Sequence, residues 1–242
     1  MMKFGKITAT ASYVPEQIVT NDQLAQIMDT SDEWIYSRTG IKERHIVTTE
    51  NTSDLCIEVA NRLLAKSQTK PEEISFIIVA TMSPDYHSPS VACLVQGAIG
   101  ATNALAFDLS AACAGFVYAL SMGEKLIRTG CGKGLVIGGE VISKVLDWQD
   151  RSTAVLFGDG AGGVLLEPVE QQHLLKESIH ADGSRAMSLT SGYVNSHNNP
   201  YGHVQPPQNA CLSMVGRDIF DFATRDVVQS LAALIEGEKE QI

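Results

Sequence analysis

A chain of 242 residues is long for one small domain and has room for one large α/β domain, or two lobes, around a buried catalytic site. Its 44% hydrophobic and 19% charged residues exclude a disordered chain as the main reading. Acidic side chains outnumber basic ones, 28 to 18, and the net charge of −10 repels phosphate backbones and anionic membranes, so neither nucleic acid nor membrane is an expected partner and an anionic ligand needs a local basic patch. Gly5 to Val14 reads as a short strand and turn, after which Thr20-Asn21 caps a helix carrying Leu24, Ile27 and Met28 on one face. Thr30 and Glu33 have capping-box spacing, and the helix holding Trp34 and Ile35 stops at Gly40 in a positive-φ position, with Trp34 and Arg38 one turn apart.

From Thr52 to Ser67 the apolar positions Leu55, Val59, Leu63 and Leu64 keep helical period; Ile74 to Ala80 follows as a buried strand. The alternation continues with a helix near Ser90 to Gly97, a strand Leu105 to Leu109, a helix from about Gly115 to Thr129 and a strand Gly134 to Gly138. The expectation is an α/β fold with a mixed or parallel sheet covered on both faces. Ala154 to Phe157 and Gly163 to Glu167 read as adjacent strands joined by the glycine-rich run 158–162. Beyond Pro168, Ile179 to Leu189 reads as another strand, Gly192 to Asn209 as a polar loop, and Met214 to Ile235 as a helix with Phe220, Ala223, Val227, Leu231 and Leu234 in register. Tyr86 to Gly123 contains one charged residue, Asp108, but no uninterrupted apolar run of about 18, so it reads as core rather than membrane.

Cysteines 56, 93, 113, 131 and 211 form an odd set without a CxxC pair, which argues against a disulfide framework and a zinc ribbon and for a reducing cytosol. The first fifteen residues lack the apolar segment of an export signal, which gives the same cytoplasmic expectation. Gly158, Gly160 and Gly163 satisfy G-x-G-x-x-G, but strand material follows where a dinucleotide site needs a helix, so close backbone packing is the better account. Cys113 stands in a run of small side chains where a helix begins. A thiol there feels the positive end of the helix dipole, which favours thiolate. Spacing alone leaves catalytic nucleophile and buried structural cysteine equally open, whereas the other four cysteines read as structural. Trp34 with Arg38, Lys42, Arg44 and His45 makes a cationic cluster beside an aromatic, suited to a phosphate-bearing ligand with a stackable base; the plainer reading is a solvated positive face with Trp34 in the core. The six histidines read as structural or surface.

The blocks Thr30-Ser31-Asp32-Glu33-Trp34-Ile35, Arg38-Thr39-Gly40-Ile41, Glu43-Arg44-His45, Ala106-Phe107-Asp108, Ala111-Ala112-Cys113-Ala114-Gly115-Phe116, Asp150-Arg151, the run 157–162 and His180-Ala181-Asp182-Gly183-Ser184 resemble, in order, the β-ketoacyl-acyl carrier protein synthase III family. The resemblance favours catalysis at Cys113. It implies a thiolase-like α-β-α-β-α layered fold, with residues 1–168 as the N-terminal half and 169–242 as part of the second, and a homodimer. It implies a decarboxylating condensation of an acyl-CoA with malonyl-acyl carrier protein to 3-oxoacyl-acyl carrier protein, the first step of type II fatty acid synthesis. Cys113 would carry the acyl group. Trp34 and Arg151 would sandwich the adenine, Thr30 and Arg38 would lie near the CoA phosphates, and Leu156, Gly216 and Phe220 would line the pantetheine channel. Acyl-CoA is then a substrate, and neither metal nor further cofactor is expected. Arg217 stands where some relatives have Asn.

The family's His and Asn, from Pro-His-Gln-Ala-Asn-like and Gly-Asn-Thr-Ser-like segments, have no counterpart within these 242 residues. Losing even one donor to a developing oxyanion typically costs about 100- to 1,000-fold. The sequence therefore reads as a truncated synthase limited to acylating Cys113. Two rivals stay open: a non-catalytic fragment or dimerisation module, and another thiolase-superfamily enzyme such as a 3-hydroxy-3-methylglutaryl-CoA synthase, against which the Trp34-to-His45 block argues. Ser88, before Pro89, suggests a roomy acyl pocket.

Overall fold

The computed structural model describes residues 2–194, 201 and 209–236. Its elements run β1 (Phe4–Tyr13), β2 (Ile18–Thr20), α1 (Asn21–Leu24), α2 (Asp32–Thr39), β3 (Glu43–His45), α3 (Thr52–Ser67), β4 (Ile74–Ala80) and α4 (Val91–Ile99). They continue with β5 (Leu105–Leu109), α5 (Gly115–Arg128), β6 (Lys133–Val141), β7 (Asp159–Val169), β8 (Leu189–Thr190), β9 (Ser213–Met214), α6 (Gly216–Asp221) and α7 (Val227–Ile235). Two compact units divide them: Met1–Thr20, Ile41–Lys144 and Phe157–Leu175 in one, Asn21–Gly40, Val145–Leu156 and Lys176–Ile242 in the other.

The first unit is built on a five-stranded sheet in the order β1-β7-β6-β4-β5. β4 is parallel to β5 and β6, while β7 is antiparallel to both β6 and β1, which makes the sheet mixed, as expected. β4 is apolar along nearly its whole length because both faces are covered. On one face α3 and α4 bury Leu55, Val59, Leu63, Val91 and Val95 against Ile77, Val79, Leu135 and Ile137. On the other, α5 packs Ala119 and Ile127 with Phe76, Ile78, Val136 and Leu166. Asn51 and Asp54 start α3 with reciprocal side-chain bonds to backbone N–H groups. Ser90 caps α4, whose last turn closes on Gly100 in the left-handed region, φ 73°.

The glycine run is not a link between two strands. Residues 151–156 form turns, and Gly160, Gly162 and Gly163 belong to β7 itself. A Cβ on Gly163 would stand 2.9 Å from Val136 O and 3.1 Å from a methyl group of Val59, so that position takes glycine because α3 and β6 press on it. No helix follows, and the literal G-x-G-x-x-G match carries no nucleotide loop.

In the second unit α1 stops at Leu24, and Ile27, expected on its apolar face, is exposed. α2 is capped by Ser31, whose Oγ accepts from Trp34 N at 3.1 Å, one residue later than Thr30–Glu33 spacing suggests; it ends at Gly40, φ 72°. The strand expected over Ile179 to Leu189 is a 3₁₀ segment, Gly183–Ser188, running into the two-residue β8, which pairs with β9. Asp182 diverts the chain by accepting from Ser184 N at 3.0 Å and Arg185 Nε at 2.7 Å. Of the loop expected over Gly192 to Asn209, residues 195–200 and 202–208 lie outside the described residues, as do His197 and His203. The helix expected over Met214 to Ile235 starts at Gly216 and widens into a π-turn at Phe222–Asp226. Neither α6 nor α7 holds a buried residue, and Phe220, read as core-facing, is 66% exposed. Periodicity specifies an apolar face but not a neighbour to cover it.

Candidate active site

Cys113 lies just past the carboxyl end of β5, in the 3₁₀ turn Ala112–Ala114 that delivers the chain into α5. Crevices outside the carboxyl ends of parallel strands are where α/β sheets bind ligands. The turn is tight. Ala112 has φ 44°, a left-handed conformation that costs a non-glycine residue on the order of 1 kcal/mol or more. Gly115 is buried with its Cα close to Ala80, so a Cβ there would meet the Ala80 methyl at 3.2 Å. The small neighbours thus let α5 begin directly against β4 and leave Ala112, Cys113 and Ala114 exposed.

The N-termini of α4 and α5 differ. At α4, Ser90 Oγ accepts from Cys93 N, and the Asp108 carboxylate accepts from Val91 N at 2.7 Å and Ala92 N at 2.8 Å. The dipole there is already answered by an anion. α5 has no side-chain cap and no acidic residue in its first turn, so its positive end faces the Cys113 turn unneutralised. Cys113 is therefore a thiol held outward at an uncapped helix start. Cys56, by contrast, is fully buried beneath Gly139, and burial drives its thiol far above the ordinary range.

Carboxylates brace the strand ends that frame this turn. Glu140, at the end of β6, accepts from Met82 N at 2.9 Å and Thr81 Oγ1 at 3.2 Å, and also from Ser83 Oγ, which in turn accepts from Val141 N. Burial raises the Glu140 carboxyl above its usual range against the pull of those hydrogen bonds, and does the same to Asp108. Both belong to the scaffold.

The second unit holds the expected nucleotide-binding residues. Trp34 is half-buried on α2, with the Arg38 guanidinium carbon 4.6 Å and the Arg151 guanidinium carbon 5.0 Å from its ring centroid. Arg38 Nη1 also donates to Trp34 O at 3.2 Å. Arg151 Nη1 donates to Asp29 O at 2.7 Å and lies 3.4 Å from Asp29 Oδ2. Thr30 Oγ1 is buried and makes no hydrogen bond. Leu156 is half-buried in the turn segment, and Gly216 begins α6 with Phe220 one turn on, both exposed.

The cationic cluster does not hold as five residues. Arg44 is buried, donates from Nη1 to Val19 O at 3.1 Å, and has its pKa lowered by desolvation; His45 Nδ1 bonds with Pro15 O at 2.6 Å. Both belong to the packing around β2 and β3. Asp29 was not singled out by sequence reasoning, because its partner lies 122 residues away and no local pattern links them. Among the described residues no His, Cys, Asp and Glu group is arranged to hold a metal ion, and no helix is long and apolar enough to cross a membrane.

A covered mixed sheet with a cysteine at the turn into a central helix is the architecture of thiolase-like condensing acyltransferases. Residues 107–183 match the family model described as 3-oxoacyl-[acyl-carrier-protein] synthase III. The β-ketoacyl-[acyl-carrier-protein] synthase III of Enterococcus faecalis is 60% identical over 240 residues, 98% of this chain and 74% of that protein. That of Streptococcus mutans is 60% identical over 97% of this chain and 72% of its own length. The crystal structure of 3-oxoacyl-[acyl-carrier-protein] synthase III from Aquifex aeolicus superposes with a TM-score of 0.83 at 39% identity, covering 96% of this chain and 71% of that one. The Pseudomonas aeruginosa enzyme gives 0.84 at 33% identity, covering 96% and 70%. The chain belongs to the β-ketoacyl-[acyl-carrier-protein] synthase III family.

Proposed function

We propose that Cys113 is the nucleophile of a decarboxylating condensation between an acyl-CoA and malonyl-acyl carrier protein that initiates type II fatty acid synthesis. The sulfur attacks the thioester carbonyl, the tetrahedral adduct expels the CoA thiolate, which takes up a proton, and the acyl group remains on Cys113. In the second half-reaction, for which the family's His and Asn have no counterpart within these 242 residues, malonyl-acyl carrier protein loses CO₂, its carbanion attacks the acyl carbonyl, and Cys113 leaves, giving 3-oxoacyl-acyl carrier protein. Both thioesters are substrates, and the scheme invokes no separate cofactor. The observation that carries the reading is the exposed thiol on a strained turn at the uncapped start of α5.

For CoA recognition we assign the adenine to Trp34 and Arg151, with Thr30 and Arg38 beside it; the free hydroxyl of Thr30 supports this, since a ligand can supply the partner it lacks. Leu156, Gly216 and Phe220 are assigned to the pantetheine. We read residues 1–168 as the N-terminal thiolase-like half and 169–242 as part of the second, in a cytoplasmic homodimer.

Intact-mass analysis after incubation with acetyl-CoA tests the nucleophile. One acetyl group is expected on the native chain and none on Cys113→Ser. An unmodified native chain whose Cys113 still reacts with an alkylating agent would overturn the assignment and favour a non-catalytic dimerisation module.

A further inference from the structure

We propose that the Asp29 carboxylate is a positioning group that adds to the hold on Arg151 against Trp34 in the unliganded protein, so that a purine enters by displacing that guanidinium. The inference rests on the reading of Trp34 and Arg151 as the adenine-binding pair and adds what holds the pair closed.

The distances require a movement. Stacked bases are spaced by about 3.4 Å, so a purine lying between an indole and a guanidinium needs about 7 Å between the two. The Arg151 guanidinium carbon stands 5.0 Å from the Trp34 centroid. The gap must therefore widen by about 2 Å on binding. Two groups decide how it does so. The backbone of Arg151 is fixed from the residue before it, because the Asp150 carboxylate accepts from Ser152 N at 2.9 Å, Ser152 Oγ at 2.6 Å and Thr153 Oγ1 at 2.9 Å. The Arg151 side chain, free of that turn, is the mobile partner: its Nη1 donates to the Asp29 backbone O at 2.7 Å, a bond any residue at 29 can accept, and faces Asp29 Oδ2 at 3.4 Å, the contact that the carboxylate adds.

Charge explains why an acid stands there. Arg38 already places a guanidinium carbon 4.6 Å from the same ring, so Arg151 brings a second cation to one indole. Two like charges drawn to one ring repel, and the Asp29 carboxylate offsets that repulsion while the site is empty. When a base takes over the face of the ring, the ion pair loses its purpose. Asp29 therefore opposes entry of the ligand; it does not form part of the bound clamp. Its side chain is fully exposed and that of Arg151 nearly half exposed, which limits the effect to about five-fold, the upper end for a surface ion pair.

The test uses the full chain with Trp148→Phe, which leaves Trp34 as the fluorescent reporter, and 3′,5′-adenosine bisphosphate as the ligand. Stopped-flow mixing should show Asp29→Ala accelerating association, and calorimetry should show binding tightened, by about two- to five-fold. Asp29→Glu should return both toward native values. Arg151→Ala should weaken binding, and adding Asp29→Ala to it should change nothing further. With acetyl-CoA, Asp29→Ala should lower the concentration for half-maximal acylation of Cys113 and leave the saturating rate unchanged. If Trp34→Ala and Arg151→Ala weaken binding while Asp29→Ala leaves it equal or weaker, the role of the Asp29 carboxylate is overturned and the adenine reading stands. If neither Trp34→Ala nor Arg151→Ala weakens binding, the adenine reading fails and the tether with it.

Discussion

At Cys56 burial makes a thiol inert, whereas at Cys113 a positive-φ neighbour and a run of small side chains turn the same group outward. The difference lies in what surrounds each residue, and the same holds for Glu140. Its carboxyl is raised above the unfolded-chain value by burial, so the folded state holds that proton at pH values where the unfolded chain has released it. The stability it contributes is complete below the unfolded pKa and is lost as pH rises through the folded one. Unfolding free energy should therefore fall with pH from about 4.3 upward across that window. Glu140→Gln, neutral throughout, should show a shallower slope in urea titrations at a series of pH values; an unchanged slope would refute the assignment, with Asp108 contributing in the same direction in both proteins. The exposed turn at Cys113 follows a local signal, small residues before a helix start, which by itself leaves nucleophile and structural cysteine equally open. The shielding of Arg44 and the Asp29–Arg151 contact were not legible in the sequence, since each depends on chain segments far apart in it.

Among the elements, those with two covered faces were read most accurately from sequence. α3, β4 and β5 fall where their periodicity and β-branched runs put them, because α3, α4 and α5 bury both sides of the sheet and the apolar pattern has one consistent solution. Errors gathered where a run of apolar residues had no such context, at 154–157 and 179–189, and where glycines imitated a loop. Where a glycine is pressed by a neighbour, volume is the reason, as at Gly163. Gly134 on β6 faces Phe76 on β4 so closely that a Cβ would lie 2.0 Å from the ring, and both residues are fully enclosed. Gly134→Ala should destabilise the fold by about 1–3 kcal/mol or more, since ring and backbone have nowhere to move. Phe76→Leu in the same chain should recover part of the loss. Urea unfolding of the two single variants and the double variant measures the coupling, and strict additivity would show that the Phe76 ring is not what the glycine accommodates.

At the scale of the whole molecule the sheet ends in β1 on one side and β5 on the other, and the two edges are finished differently. Along β1, α3 occupies backbone carbonyls with cations: Arg62 Nη1 donates to Ser12 O at 2.8 Å and Lys66 Nζ to Thr10 O at 3.1 Å. Such side chains blunt an edge against pairing. β5, at the other end, pairs with β4 alone among the described residues, and its first residue, Leu105, is 43% exposed. In the homodimer proposed above, β5 of one copy lying antiparallel to β5 of the next would close the assembly across the open edge. The net charge of −10 opposes that association at long range, so such a contact would rest on short-range backbone pairing and apolar burial. Leu105→Lys places a cation on the open edge, as Lys66 does on the guarded one. Sedimentation equilibrium should give twice the chain mass for the native protein and the single chain mass for Leu105→Lys. A variant that stays dimeric would move the interface to another face, and a native monomer at micromolar concentration would leave β5 an unused edge.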